Sequence, residues 1–318
     1  MKTAEIINIL MACDKNYAPY YGVLLTSLFE NNRDSQFNIH WISDQSVPLS
    51  VKNRFSNLVA KYDSQLYMYE IDNSKLTDLY QYGHINYAAY FHLNMANILP
   101  NSVHRIIYMD GDIIVNGNIR PLWNTDLEDK ACAMVVGPMW LEPQVYDRLG
   151  YDSSFGYYNN GVVLYNVDVL RKINFSKNAM DYIQTHRDKL DLMDQDTENA
   201  LLYDKIVRLP VKYNFQIKLF WESHWKEYTK SFKNELLEAA RNPTIIHYSD
   251  RRKPWQLVYS GMPYAKIWNK YYRQSDWYGI KAIGAPLNKY CKHVVKRIIK
   301  PSLIVSNFIP NVYDYLEK

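Results

Sequence analysis

At 318 residues, with 47% apolar and 22% charged side chains, the chain can bury a sizeable core and reads as an ordinary globular protein. It holds no run of about 18 apolar residues and no basic-then-apolar leader, so neither a transmembrane helix nor a secretory signal is expected. The net charge of +4 and three widely spaced cysteines (Cys13, Cys132, Cys291) point away from a disulfide-stapled scaffold and toward a reducing, cytoplasmic setting.

Residues 5–13 are a near-continuous apolar run ending at Asp14, as in a buried parallel-type strand. Residues 20–30 carry apolar side chains at helical spacing, and Asn31 and Asn32 can stop the helix. Strands are predicted at 37–42 and 65–71, around a helix at 49–61, and a further helix at 86–99. Strands alternating with helices announce a doubly wound, mostly parallel α/β sheet.

The stretch from Arg105 to Val115 follows. An apolar, β-branched run ends in Asp110-Gly111-Asp112, and a second apolar run succeeds it. Two carboxylates at the carboxyl end of a strand lie where open α/β sheets bind ligands, and they repel unless a cation lies between them. Oxygen donors of this kind suit Mg²⁺ or Mn²⁺, ions that commonly also hold a phosphate. Beyond it, strands are predicted at 131–136 and 162–166 and helices at 167–173, 176–190 and 230–241. Asp194 is the expected N-cap of a short helix at 197–203, and a strand at 244–246 ends at His247.

Six stretches then fall in one order: Ala12 to Tyr17, Tyr20 to Leu28, Tyr108 to Asp112, Asn159 to Val162, Asp194 to Asp196, and His247-Tyr248 followed by Lys253-Pro254-Trp255. Together they resemble glycosyltransferase family 8, the retaining galactosyl- and glucosyltransferases akin to lipopolysaccharide galactosyltransferases. The resemblance implies a single Rossmann-like nucleotide-sugar-binding domain of GT-A type over residues 1–275. The implied donor is a UDP-hexose, and the implied acceptor a glycan or glycolipid such as a bacterial surface polysaccharide or lipooligosaccharide. Asp110, Asp112 and His247 would hold Mn²⁺ or Mg²⁺, and Lys253 would donate to the diphosphate. Ala12, Cys13, Asp14, Asn16 and Tyr17, with Met109 and Gly111, would form the nucleotide pocket. Asn159, Asp194, Gln195 and His92 would face the donor sugar, with Gln195 and Asp194 nearest the chemistry. An amide is a poor nucleophile, so a same-face transfer is expected at Gln195 rather than a double displacement.

His92 stands where the family usually has Arg, and Asp250 where many members have Gly, so Asp250 should point away from the phosphates. Residues 276–318 interleave Lys and Arg with Val and Ile at helical spacing, as in a basic amphipathic appendage able to lie on an anionic membrane surface. Nucleic acid is not an expected partner, since no recognised binding module accompanies the charge. Two alternatives differ in class. An aspartyl-phosphate phosphotransferase usually wants Thr or Val two residues past its second Asp, where this chain has Ile114. A catalytically silent glycan-binding protein is the reading that His92 favours.

Overall fold

Ile7–Cys13 forms strand β1, buried at nearly every position, as its unbroken apolar run requires of a strand covered on both faces. In the computed structural model, which describes residues 6–72, 87–220, 222–256 and 262–279, β1 lies inside a seven-stranded sheet. The other strands are β2 (Phe37–Asp44), β3 (Gln65–Ile71), β4 (Arg105–Met109), β5 (Ile113–Val115), β6 (Cys132–Val136), β7 (Tyr158–Asn166), β8 (Ile206–Arg208), β9 (Phe215–Gln216) and β10 (Ile245–His247). The large sheet runs β3-β2-β1-β4-β7-β6-β8. β7 is antiparallel to β4 and β6, and the remaining pairs are parallel. The expected mostly parallel α/β sheet is therefore present, with β7 reversed within it.

The chain order turns back at β1, because β2 and β3 lie on one side of it and β4 on the other. Such a reversal opens a crevice at the carboxyl ends of the two central strands. Asp14 follows β1 there and Asp110 follows β4.

The run 105–115 is not one strand. It breaks at Asp110–Asp112, and β5 enters a second sheet, β5-β10-β9. β10 pairs antiparallel with β5, setting His247 opposite Ile113, and Tyr248 N donates to Asp112 O at 2.9 Å. That register carries His247 to the acidic pair from 135 residues further along the chain. Helix Ala18–Asn31 locks the same corner: Val115 N donates to Ser27 Oγ at 3.0 Å, and Asn31 Nδ2 donates to Val115 O at 2.9 Å.

Two sequence expectations change. The helix predicted at 86–99 is a 3₁₀ segment, Tyr87–Asn94, followed by one α-turn, Met95–Ile98. Tyr90, Phe91, His92 and Leu93 are all buried, so no polar face selects a 3.6-residue repeat. Asp194 is not an N-cap either. The helix spans Met193–Leu202 and begins after Leu192. Asp196 turns back instead, its Oδ2 accepting from Asp191 N at 2.7 Å and Leu192 N at 2.8 Å, which frees Asp194 for other work. Trp277, 1% exposed, packs on Phe55 with ring centroids 4.7 Å apart, so the body continues past residue 275. The remainder of the basic segment, 280–318, lies outside the described residues.

Candidate active site

Asp110, Asp112 and His247 converge, each offering one ligand atom, and those atoms all lie within 4.8 Å of one another. His247 Nε2 is 3.2 Å from Asp112 Oδ1 and 3.7 Å from Asp110 Oδ2. The other ring nitrogen, Nδ1, donates to Asn214 Oδ1 at 2.9 Å, because an amide oxygen can only accept. This bond holds the ring so that Nε2 faces the two carboxylates, the usual arrangement behind a ligating histidine. Two carboxylates and one imidazole suit a divalent cation.

Close approach at this point demands two glycines. A Cβ on Gly161 would stand 2.2 Å from His247 Cε1 and 2.8 Å from Asp110 Oδ2. One on Gly111 would stand 2.9 Å from the Tyr21 ring and 3.0 Å from the Tyr17 ring.

The acidic pair is electrostatically split. Burial and the neighbouring Asp112 charge push Asp110 above the usual carboxylate range. Burial also opposes ionisation of Asp112, but Lys253 and His247 outweigh it and hold that carboxyl well below the usual range. Lys253 Nζ donates to Asp112 Oδ2 and, at 2.7 Å, to Tyr248 O. An ammonium has three protons, so one remains for an incoming anion. Asp250 is paired with Arg252, its Oδ2 2.6 Å from Nη2.

On the opposite wall, a line of amides starts at His247. Asn214 Nδ2 donates to Asn159 Oδ1 at 2.7 Å, Asn159 Nδ2 to Gln195 Oε1 at 2.8 Å, and Gln195 Nε2 to Tyr157 OH at 2.7 Å. Tyr157 then donates to Asp196 Oδ1 at 2.7 Å, and Asp196 is paired with Arg148 at 2.8 Å. Gln195 accepts at one end and donates at the other, which holds its amide in one orientation. Asp194 Oδ2 accepts from Asn160 Nδ2 at 2.7 Å. Burial, with repulsion from Asp110 only partly offset by His92, raises the Asp194 carboxyl to about 7.

The loop after β1 is less open than the sequence suggests. Asp14 Oδ1 accepts from Asn16 N at 2.9 Å and Tyr17 N at 3.2 Å, while Oδ2 accepts from Asn16 Nδ2 at 2.9 Å. This is an Asx turn that orders the loop. Tyr17 is 40% exposed and meets Trp255 edge-on at 6.4 Å. The Cys13 and Met109 side chains are buried, and the Tyr21 hydroxyl donates to Ala12 O at 3.2 Å. Any ligand therefore meets Ala12, Cys13 and Met109 through their backbone. His92 has no exposed surface at all and lies 3.9 Å from Asp194 on its buried side, so its own ring does not line the crevice.

Sequence reading missed Asn214, Tyr157, Asn160 and Glu198. Asn214 lies outside every recognised stretch, next to a two-residue strand. Tyr157 and Asn160 flank Asn159 and were visible as neighbours.

With that geometry in hand, comparisons with known proteins are informative. The sequence model described as Glycosyl transferase family 8 matches residues 8–258. Among curated proteins, the chain is 26% identical to General stress protein A of Bacillus subtilis, over 90% of this chain and 99% of that one. It is 25% identical to the Lipopolysaccharide glucosyltransferase WaaO of Escherichia coli, over 98% and 91%. A crystal structure of the galactosyltransferase LgtC in complex with donor and acceptor sugar analogs superposes with a TM-score of 0.77 at 18% identity, covering 85% of this chain and 96% of that one.

Proposed function

The chain belongs to glycosyl transferase family 8, and from that premise we propose that it moves galactose or glucose from a UDP-sugar to a glycan acceptor, with retention of configuration and dependence on a divalent metal. The observation that carries this reading is the meeting of Asp110, Asp112, His247 and Lys253 at the crevice between β1 and β4. Three cation ligands beside one anion-binding ammonium suit a metal–diphosphate pair. The donor atoms fit Mn²⁺ somewhat better than Mg²⁺, because one of them is an imidazole nitrogen. When bound, the metal would supply Lewis-acid neutralisation of the diphosphate leaving group.

The chain's own residues do the rest. Asp110, Asp112 and His247 would hold the ion, and Lys253 would add a point charge to the phosphates. Tyr17 offers an aromatic face to the base, while the turn at Asp14 and Asn16 presents backbone around it. Asp194 accepts from donor-sugar hydroxyls, and Asn159 holds the Gln195 amide. Gln195 Oε1 keeps a second lone pair, which steadies positive charge at the anomeric carbon. The bond from that carbon to the phosphate oxygen breaks, the acceptor oxygen bonds on the same face, and its proton passes to the departing phosphate.

The names of the relatives support a bacterial surface polysaccharide or lipooligosaccharide as acceptor. Buried, unpaired Cys13 and Cys132 support a cytoplasmic setting. Among the described residues no helix is long and apolar enough to cross a membrane, and attachment through residues 276–318 to the cytoplasmic leaflet is part of the proposal.

A thermal-shift panel of UDP-sugars with and without Mn²⁺ tests the whole. UDP-galactose or UDP-glucose should stabilise the protein only with metal, and Asp112→Asn should abolish the shift. Equal stabilisation without metal overturns the assignment of Asp110 and Asp112. A covalent glycosyl adduct isolated on Gln195 or Asp194 overturns the same-face mechanism.

A further inference from the structure

Beneath Asp194 lies a charged cluster that the donor reading leaves unused. His92 is fully buried in the 3₁₀ segment Tyr87–Asn94, its ring stacked on Tyr108 with centroids 4.3 Å apart and 17° between planes. Neither ring nitrogen has a hydrogen-bond partner, and Glu198 Oε2, also fully buried, has none. The other Glu198 oxygen, Oε1, accepts from the Tyr165 hydroxyl. Three buried polar atoms without partners on two neighbouring side chains are uncommon and call for an explanation.

The geometry supplies one. His92 Nε2 is 3.7 Å from Glu198 Oε1 and 3.9 Å from Asp194 Oδ2. Asp194 and Glu198 are four residues apart on helix Met193–Leu202 and share a face. Two carboxylates on one helix face therefore confront a single imidazole. A buried carboxylate is tolerated only with a charged or hydrogen-bonding partner.

We propose that His92 and Glu198 form a buried ion pair whose work is to position Asp194 for the donor sugar, the imidazolium holding Asp194 Oδ2 from below while Asn160 holds it from the side. Oδ1 is thereby left to accept from a sugar hydroxyl. His92 is a positioning residue and never touches sugar, and Glu198 is what keeps it charged. Burial opposes protonation of His92, but Glu198 and then Asp194 outweigh it and raise its basicity. The groups facing the ring are Glu198, Asp194 and Tyr108, with Asp110 adding a further negative field. Both contacts are longer than hydrogen bonds, so the pairing acts through charge and placement. The inference rests on the reading that Asp194 meets the donor sugar.

The test uses the full chain and acceptor-free hydrolysis of a UDP-sugar with Mn²⁺. Glu198→Gln should lower kcat by about 10- to 100-fold, the loss that follows from misplacing a group at the reacting centre, with UDP affinity unchanged. The double variant His92→Leu with Glu198→Leu separates position from packing. Replacing a buried pair with apolar side chains commonly keeps stability, so its melting temperature should match the wild type while kcat stays low. Recovery of kcat in the double variant, or no loss in Glu198→Gln, overturns the proposal. Nitrogen-15 spectra of the His92 ring should show both nitrogens protonated in the wild type and one in Glu198→Gln. A neutral ring in the wild type overturns the proposal even if no variant is active. If Asp194→Asn also leaves hydrolysis untouched, the donor reading itself fails; if only the His92 and Glu198 variants are silent, that reading stands.

Discussion

The two walls of the site solve opposite problems. On the wall built from Asp110, Asp112, His247 and Lys253, acidic and basic side chains face one another directly and in contact. On the wall built from Asn159, Asn160 and Gln195, neutral amides face the site, and the charges of His92, Glu198, Asp196 and Arg148 lie behind them. In the function proposed above, the first wall meets a metal with its diphosphate. The second meets hydroxyls, which need direction more than charge. Asn214 joins them, accepting from His247 and donating to Asn159.

The contrast predicts unequal sensitivity. The charged wall should fail most completely when one member is lost, because the rest are left unbalanced. Asp112→Asn leaves Lys253 and His247 without their anion, and kcat should fall by at least roughly 10³-fold, the scale of several kcal/mol of transition-state stabilisation. Gly161→Ala should mimic it without touching a charge, since its Cβ would stand 2.2 Å from His247 Cε1. Manganese titration of both variants checks this, and intact metal affinity in Gly161→Ala breaks the geometric account. Asn214→Ala strikes the joint. Loss of a partner that orients a metal-bound histidine commonly reduces metal affinity by about 10- to 100-fold, and here kcat should fall further than metal affinity does, because Asn159 is released as well.

The amide wall yields a subtler expectation at Asp194. An acid held near 7 when folded, but released near 3.9 when unfolded, makes the fold lose stability as pH rises between those values. At about 1.4 kcal/mol per unit the ceiling is about 4 kcal/mol, fully present above pH 7. Asp194→Asn should therefore melt higher than the metal-free wild type at pH 8, with the gap closing toward pH 5, while its kcat falls. A variant less active and no more stable at pH 8 would place the carboxyl outside the strained environment described here.

What the sequence disclosed follows the same division. Strand positions were legible wherever apolar runs were unbroken, and β3 and helix Lys230–Arg241 agree to the residue. The metal-binding candidates were legible because acids at a strand end have few structural uses. The joining of β5 to β10 was not, since three-residue strands leave little periodic signal. Nor was Asn214, whose role exists only once β9 has brought it under His247. The sequence marks His92 as a departure from the family pattern, and the resemblance points it at the sugar. Its complete burial puts it in the core instead, a position that an aromatic run does not distinguish from an exposed one.

The smallest effect is expected at the base end, which belongs to neither wall. Asp14 already accepts three hydrogen bonds within its own loop. Asp14→Asn keeps the acceptor that the two backbone N–H groups require, so the turn should persist. Tyr17 is half out in solvent and touches its surroundings edge-on. Truncating it removes one aromatic face, worth about 1–3 kcal/mol where a base stacks on it. Tyr17→Ala should therefore raise KM for the UDP-sugar by at least about fivefold and leave kcat unchanged. Because the nucleotide is bound equally in ground and transition states, such a loss appears in KM alone. A fall in kcat would mean that Tyr17, packed against Gly111 between the two acids, also sets the position of Asp110 and Asp112 and belongs to the charged wall after all.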